Sequence, residues 1–223
     1  MFEVLESKEQ AITDRLLEAY RAIAPSTLGH IWDGRALDPD IRPVAAGTAM
    51  VGRAVTVTVR GRDSTVCHKV IDLLRPDDVV VITQGGERRY SCWGEMMTLA
   101  ARMRDVAGVV IDGPVTDVVR VRGMGLPVFA RGTSPLTTQL LGESGAINTP
   151  IVCGGVSVEP GELVLGSDDG VLVLSAAEAE SLLTAAQEEE VGDEEYRKAL
   201  LAGELPSQLA PIERLIERAR HEC

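Results

Sequence analysis

Residues 93–117 read WGEMMTLAARMRDVAGVVIDGPVTD, and they place two acids where acids can do chemistry. Glu95 falls just inside a predicted helix start. Asp117 falls just past a predicted strand with Thr116 beside it, and twenty residues separate Glu95 from Thr116. Two carboxylates near a helix N-terminus suit a divalent cation with oxygen ligands. Few protein ligands and several waters would fit magnesium or manganese. The first-turn N–H groups of Glu95, Met96 and Met97 have no acceptor within the helix and form a place for a carboxylate or phosphate. Each acid also has a plainer use, Glu95 complementing the helix macrodipole and Asp117 capping a turn. Spacing alone leaves both uses open.

The elements that must position these residues follow a repeated rhythm. AVTVTVR (54–60) reads as a strand, HKVIDLLRP (68–76) as a helix, DVVVIT (78–83) as a buried strand, and GEMMTLAARMRD (94–105) as a helix. GVVID (108–112) is a further strand. A short helix through TDVVRVRGMG then leads into the strand LPVFARG (126–132). Strands lacking strict alternation, separated by helix-length segments, predict parallel crossover units. The GG loop after Thr83, which runs to Gly94, and the loop carrying Asp112, Thr116 and Asp117 then both lie at carboxyl ends of parallel strands. There α/β sheets commonly bind ligands, and Glu95 and Asp117 can face one pocket. Upstream, Ile12, Leu16, Tyr20 and Ile23 predict a helix over 9–24 with Ser7 and Gln10 as a capping box, and 25–43 reads as loops and short turns. From 150 the texture turns to short alternating runs broken by EPGE and SDDG, which predict hairpins. Ser175 with Glu178 then caps a helix, and two shorter helices finish the chain. With 223 residues and neither an internal repeat nor a linker, one α/β domain over 1–223 is expected, its C-terminal helices spanning about 190–223.

Composition narrows the function classes. A hydrophobic fraction of 45% describes a globular protein, and no run approaches the roughly 18 apolar residues of a membrane span. The start MFEVLESKEQ lacks the pattern of a signal peptide. The formal charge of −12 repels phosphate backbones, which argues against nucleic-acid or anionic-membrane partners. The acidic block Glu188–Glu195 reads as a solvated helix face. Cys67, Cys92, Cys153 and Cys223 are too widely spaced for a disulfide framework or zinc site, so reduced buried thiols in a cytoplasmic protein are expected. Cys92 borders the opening motif, with a reactive thiol as its other reading. His68 reads as a structural donor at a helix start, and His30 as a loop histidine without ligand spacing. Serine-nucleophile and nucleotide-binding glycine motifs are absent.

Taken together, GRAVTVTV (52–59), WGEMMTLAAR (93–102), GVVIDGPVTDV (108–118), GLPVFARGTSP (125–135), CGGVSVEPGELVLGSDDGVLVL (153–174) and ALLAGE (199–204) resemble the RraA-like family, over about Thr27 to Gly203. That family includes 4-hydroxy-4-methyl-2-oxoglutarate and 4-carboxy-4-hydroxy-2-oxoadipate aldolases with oxaloacetate decarboxylase activity, and the RraA regulators of ribonuclease E. The resemblance implies a swivelling β/β/α fold assembled as a homotrimer or homohexamer with sites at subunit interfaces. It implies that Glu95 matches the signature acid and that Asp117 holds the metal, Mg2+ or Mn2+. It further implies that Gly94, Met96 and Met97 frame the carboxylate of a small 2-oxo acid, and that a C-terminal carboxylate, best matched by Glu194, is lent by the adjacent subunit.

The chain departs from the pattern at Thr116, where the aldolase signature has arginine. Exchanging a fixed cation for a neutral hydroxyl removes a donor worth about 3 kcal/mol of transition-state stabilisation. Arg120, at i+4 from Thr116, is placed to replace it, with Arg131 and Arg88 as other candidates. Three functions follow as expectations: a divalent-metal C–C lyase on a 2-oxo acid, a non-catalytic regulator of a ribonuclease, or another metal-dependent enolisation or hydration on the same scaffold.

Overall fold

A computed structural model describes residues 1–6 and 11–221; the Ser7–Gln10 capping box and Cys223 lie outside the described residues. The chain opens with strand β1 (Phe2–Val4), then helices α1 (Asp14–Tyr20) and α2 (Pro25–Ile31). Helix α1 is shorter than the 9–24 expected: the Thr13 side chain caps it by accepting from Leu16 N–H. Helix α2 lies within the stretch read as loops. Pro25 stands in its first turn, where a missing N–H costs nothing, and the helix buries Thr27 and Leu28.

Strand β2 (Arg42–Pro43) precedes the long β3 (Met50–Val59). The crossover units follow: α3 (Thr65–Val70, continued by a 3-10 turn over 71–73), β4 (Asp78–Thr83), α4 (Glu95–Arg102), β5 (Gly108–Asp112), α5 (Val118–Gly123) and β6 (Val128–Ala130). β3, β4, β5 and β6 pair in parallel in that order, with Thr58 opposite Thr83 and Thr83 opposite Asp112. The expected parallel core is therefore present, and its in-register strand ends bring the loops after β4 and β5 side by side. Valine and isoleucine fill these strands because both sheet faces are covered.

Beyond them come β7 (Gly145–Ile147), the hairpin β8 (Ile151–Cys153) with β9 (Val156–Val158), and the hairpin β10 (Leu163–Ser167) with β11 (Gly170–Leu174). β3 carries β10 antiparallel along 50–53 and β7 antiparallel along 57–59, both on the edge away from β4. Helix α6 (Ala176–Leu201) starts at the expected cap: Ser175 accepts from Glu178 N–H, and Glu178 reaches back to Ser175 N–H. Its buried residues are Ala179, Leu183 and Ala186, and from Glu194 onward it is largely exposed. α7 (Pro206–Leu209) and α8 (Ile212–His221) complete the chain.

The core has three parts. One lies under α3, α4 and α5 and includes Trp93, Met97 and Val121; a second is faced by β8 and β9; a third joins α1, α2, α6, β10 and β11 around Tyr20 and Leu28. No helix among the described residues is long and apolar enough to cross a membrane.

Candidate active site between two strand-end loops

The loop before α4 is held by local hydrogen bonds. Trp93 is buried, its indole N–H donates to Thr98 Oγ1 at 3.0 Å, and Thr98 donates on to the Gly94 carbonyl at 2.8 Å. Ser91 Oγ donates to the Trp93 carbonyl at 2.7 Å. The loop after β5 is stitched to this one at two points. Thr116 N–H donates to the Trp93 carbonyl at 3.0 Å, and Glu95 N–H donates to Asp117 Oδ2 at 3.2 Å. Asp117 itself takes a left-handed backbone, φ 54°, at the N-cap of α5. Its side chain makes no cap bond to its own helix and turns instead to α4.

Gly94 is what allows the approach. A Cβ there would lie 2.5 Å from Thr116 Cγ2 and 2.6 Å from Asp117 Oδ2.

Glu95, Thr116 and Asp117 form the ridge between two adjoining clefts. The first, about 180 Å³, is also lined by Ser64, His68, Cys92, Met96 and Thr138. The second, about 510 Å³, runs over α5 past Arg120 to Thr133 and Ser134. The two acids thus border the same open space. The amide cradle is smaller than the first turn promised: Glu95 N–H is taken by Asp117, which leaves Met96 and Met97 to receive an anion. Arg120 borders the second cleft beside Thr116.

Other candidates are placed differently. Arg131 is not available to the ridge: it ion-pairs with Asp112 and, at 2.9 Å, with Asp38, and it lines a separate cleft with Asp40 and Arg122. Asp112 also accepts Gly154 N–H at 2.7 Å, so it fastens β5 to the β8–β9 turn. Arg88 is exposed on the GG loop and lines neither cleft that the ridge divides. Glu194 lies on the outer half of α6, paired with Arg197, and borders neither cleft.

His68 is an exposed wall of the first cleft, where the sequence suggested a structural donor. Cys67, Cys92 and Cys153 are buried free thiols as expected; the contact with Cys92, together with burial, pushes the Cys67 thiol up. The acidic block is more than a solvated face. Glu190 accepts Ala24 N–H at 2.8 Å and the Thr27 hydroxyl at 2.6 Å, and Glu189 meets His30. Sequence reasoning missed these because the partners sit more than 150 positions upstream.

A family model described as RraA-like, Aldolase/RraA, matches residues 13–173. The chain belongs to this family. Among relatives of the RraA-like chain, a Halalkalibacterium halodurans protein is 32% identical over 182 residues, covering 81% of this chain and 86% of its own. It carries the provisional name 4-hydroxy-4-methyl-2-oxoglutarate aldolase. Among solved structures, Streptomyces coelicolor RraAS2, described as an unusual member of the RNase ES inhibitor RraA family, superposes with a TM-score of 0.75 at 26% identity. The match covers 83% of this chain and 98% of that one. The RNA-processing inhibitor RraA from Thermus thermophilis superposes at 0.62 and 26% identity, over 68% and 92%. The fold is therefore the RraA-like α/β fold, with its parallel crossover core and antiparallel hairpins.

Proposed function

We propose that this chain is a divalent-metal-dependent lyase that cleaves a C–C bond in a small 2-oxo acid, a 4-hydroxy-2-oxo acid or oxaloacetate. The observation that carries this reading is the ridge itself, where Glu95 and Asp117 are tied together between two open clefts beside the N-terminus of α4. Relatives that bear the aldolase name support it.

The donor set fits a cation such as Mg2+ or Mn2+. It offers oxygen ligands, few of them, at a solvent-open cleft where water completes the sphere. Asp117 would hold the ion with Glu95 alongside. When bound, it supplies a Lewis acid to the substrate's keto oxygen.

The chain's own groups do the rest. The Met96 and Met97 amides hold the substrate carboxylate. Thr116 donates one neutral hydrogen bond, and Arg120 from the next turn supplies the positive charge that Thr116 lacks. In aldol cleavage a base takes the 4-hydroxyl proton, the C3–C4 bond breaks, and its electron pair passes to the 2-oxo group as pyruvate enolate, which is then protonated at C3. Decarboxylation needs only the electron sink. Glu95 through a water, with Glu194 of a neighbouring copy, carries the protons. On this reading the chain works as a homotrimer or homohexamer, with the outer half of α6 reaching the adjacent subunit.

The test is pyruvate release from oxaloacetate and from 4-hydroxy-4-methyl-2-oxoglutarate, with Mg2+ or Mn2+ and with chelator. Turnover that chelator abolishes and that Asp117→Ala reduces by about a hundredfold or more supports the lyase. Metal-independent activity, or full activity in Asp117→Ala, overturns it.

A second reading rests on Thr116 in place of the signature arginine together with the likeness to RraA inhibitors. A non-catalytic chain of this kind would bind a ribonuclease through its acidic surface. It predicts no turnover on either acid and a stable complex in co-purification.

A further inference from the structure

His30 closes the last turn of α2, and the fold sets it against α6. Its Nδ1 lies 3.2 Å from Glu189 Oε1. One ligand atom each from His30, Glu189 and Asp193 all lie within 4.8 Å of one another. Glu189 and Asp193 are one turn apart on α6, so both project from one face. Their neighbour Glu190 is committed elsewhere, holding Ala24 N–H and the Thr27 hydroxyl at the other end of α2. Two carboxylates are thus left to share one imidazole, whose neutral form has a single N–H to offer.

We propose that His30, Glu189 and Asp193 form a binding site for a zinc-class divalent cation, separate from the Glu95–Asp117 ridge. Metal–ligand bonds of about 2.0–2.2 Å put adjacent ligand atoms about 3.0–3.5 Å apart, and the His30–Glu189 separation of 3.2 Å already falls in that range. Binding needs the ring to carry its proton on Nε2, so that Nδ1 presents its lone pair to the ion where it now meets Glu189, and the Asp193 side chain to close in from within 4.8 Å. One nitrogen and two carboxylate oxygens favour zinc, cobalt or nickel over magnesium, which prefers oxygen throughout. The side chains of His30 and Glu189 are 58% and 37% exposed, so water has access to complete the coordination. The ion would clamp α2 to α6 just beyond Ala186, the last buried residue of that helix.

The experiment is calorimetric titration of the full chain with Zn2+, on wild type, His30→Ala, Glu189→Gln/Asp193→Asn and Asp117→Ala. The wild type is expected to bind one zinc in a step that Asp117→Ala retains. His30→Ala, whose exposed side chain is not needed for packing, is expected to weaken that step by about 100-fold or more, because even outer-sphere losses at metal sites cost 10–100-fold. The double variant behaves likewise. Visible absorption of bound Co2+ is lost in His30→Ala, and Zn2+ raises Tm in the wild type but not in that variant. A wild-type isotherm with no binding step overturns the proposal. So does a wild-type isotherm whose every step survives His30→Ala, or a His30-dependent step that disappears in Asp117→Ala.

Discussion

Gly94 is the residue whose absent side chain holds the ridge together. With a Cβ 2.5 Å from Thr116 Cγ2 and 2.6 Å from Asp117 Oδ2, Gly94→Ala must push the two loops apart. Overpacking of this kind costs about 1–3 kcal/mol. Chemical denaturation should show that loss, and pyruvate release should fall far more than stability does. Arg120 is tested at the same scale. If it supplies the charge that Thr116 lacks, Arg120→Ala lowers kcat by about a hundredfold, and Thr116→Arg restores much of it. Unchanged kcat in Arg120→Ala removes that role. That both acids could border one pocket was legible in the sequence from their positions at helix and strand ends; the close approach that Gly94 permits was not. The diversion of Glu95 N–H to Asp117 was not, because it depends on the left-handed turn at Asp117.

At the scale of elements, the wall of the first cleft depends on one buried carboxylate. Asp63 accepts hydrogen bonds from Thr65 N–H at 3.0 Å, Leu141 N–H at 3.2 Å, Glu143 N–H at 2.6 Å and Ser144 N–H at 3.1 Å. Burial alone would raise its pKa, but the hydrogen bonds led by Thr65 outweigh it and hold the carboxyl well below the usual range. Asp63→Asn puts an amide N–H₂ where acceptors are needed. Urea unfolding should show a loss of about 2–4 kcal/mol, since buried N–H groups are left unmatched. The parallel core could be read from apolar runs alternating with helix-length segments, and α6 from its capping box. Helix α2 could not, because Pro, Ser, Thr and Gly all favour turns, and only the tertiary burial of Thr27 and Leu28 against α6 and the β10–β11 hairpin overrides them. The cluster around Asp63 was hidden for a similar reason: the donors Leu141, Glu143 and Ser144 lie 78 to 81 positions downstream.

At the scale of the whole molecule, Asp78 makes stability depend on pH. It is buried at the start of β4, and burial, partly offset by Arg75 N–H at 2.8 Å, pushes its pKa up from 3.8 to about 6. A carboxyl raised on folding stabilises the native state while protonated, and this contribution is lost as pH rises from about 4 through about 6. Two units correspond to about 3 kcal/mol. Asp78→Asn keeps an acceptor for Arg75, so it should be more stable than wild type at pH 8 by about 1–3 kcal/mol and lose that advantage below pH 4. Equal stabilities at both pH values would refute this. A last consequence belongs to β3, which bears β10 near its start and β7 near its end on a single edge. The β10–β11 hairpin, α1, α2 and α6 share a core distinct from the one beneath α4 and α5. The hairpin's other face packs Val164, Val171 and Val173 against Val79, Val81 and Val110 of β4 and β5, so any opening begins with α1, α2 and α6, whose buried residues belong to the one core, and leaves the β4–β5 register and the paired acids intact. Amide exchange should release the two sides in sequence, the α6 side first. Such a protein can shed its peripheral helices before it loses its pocket.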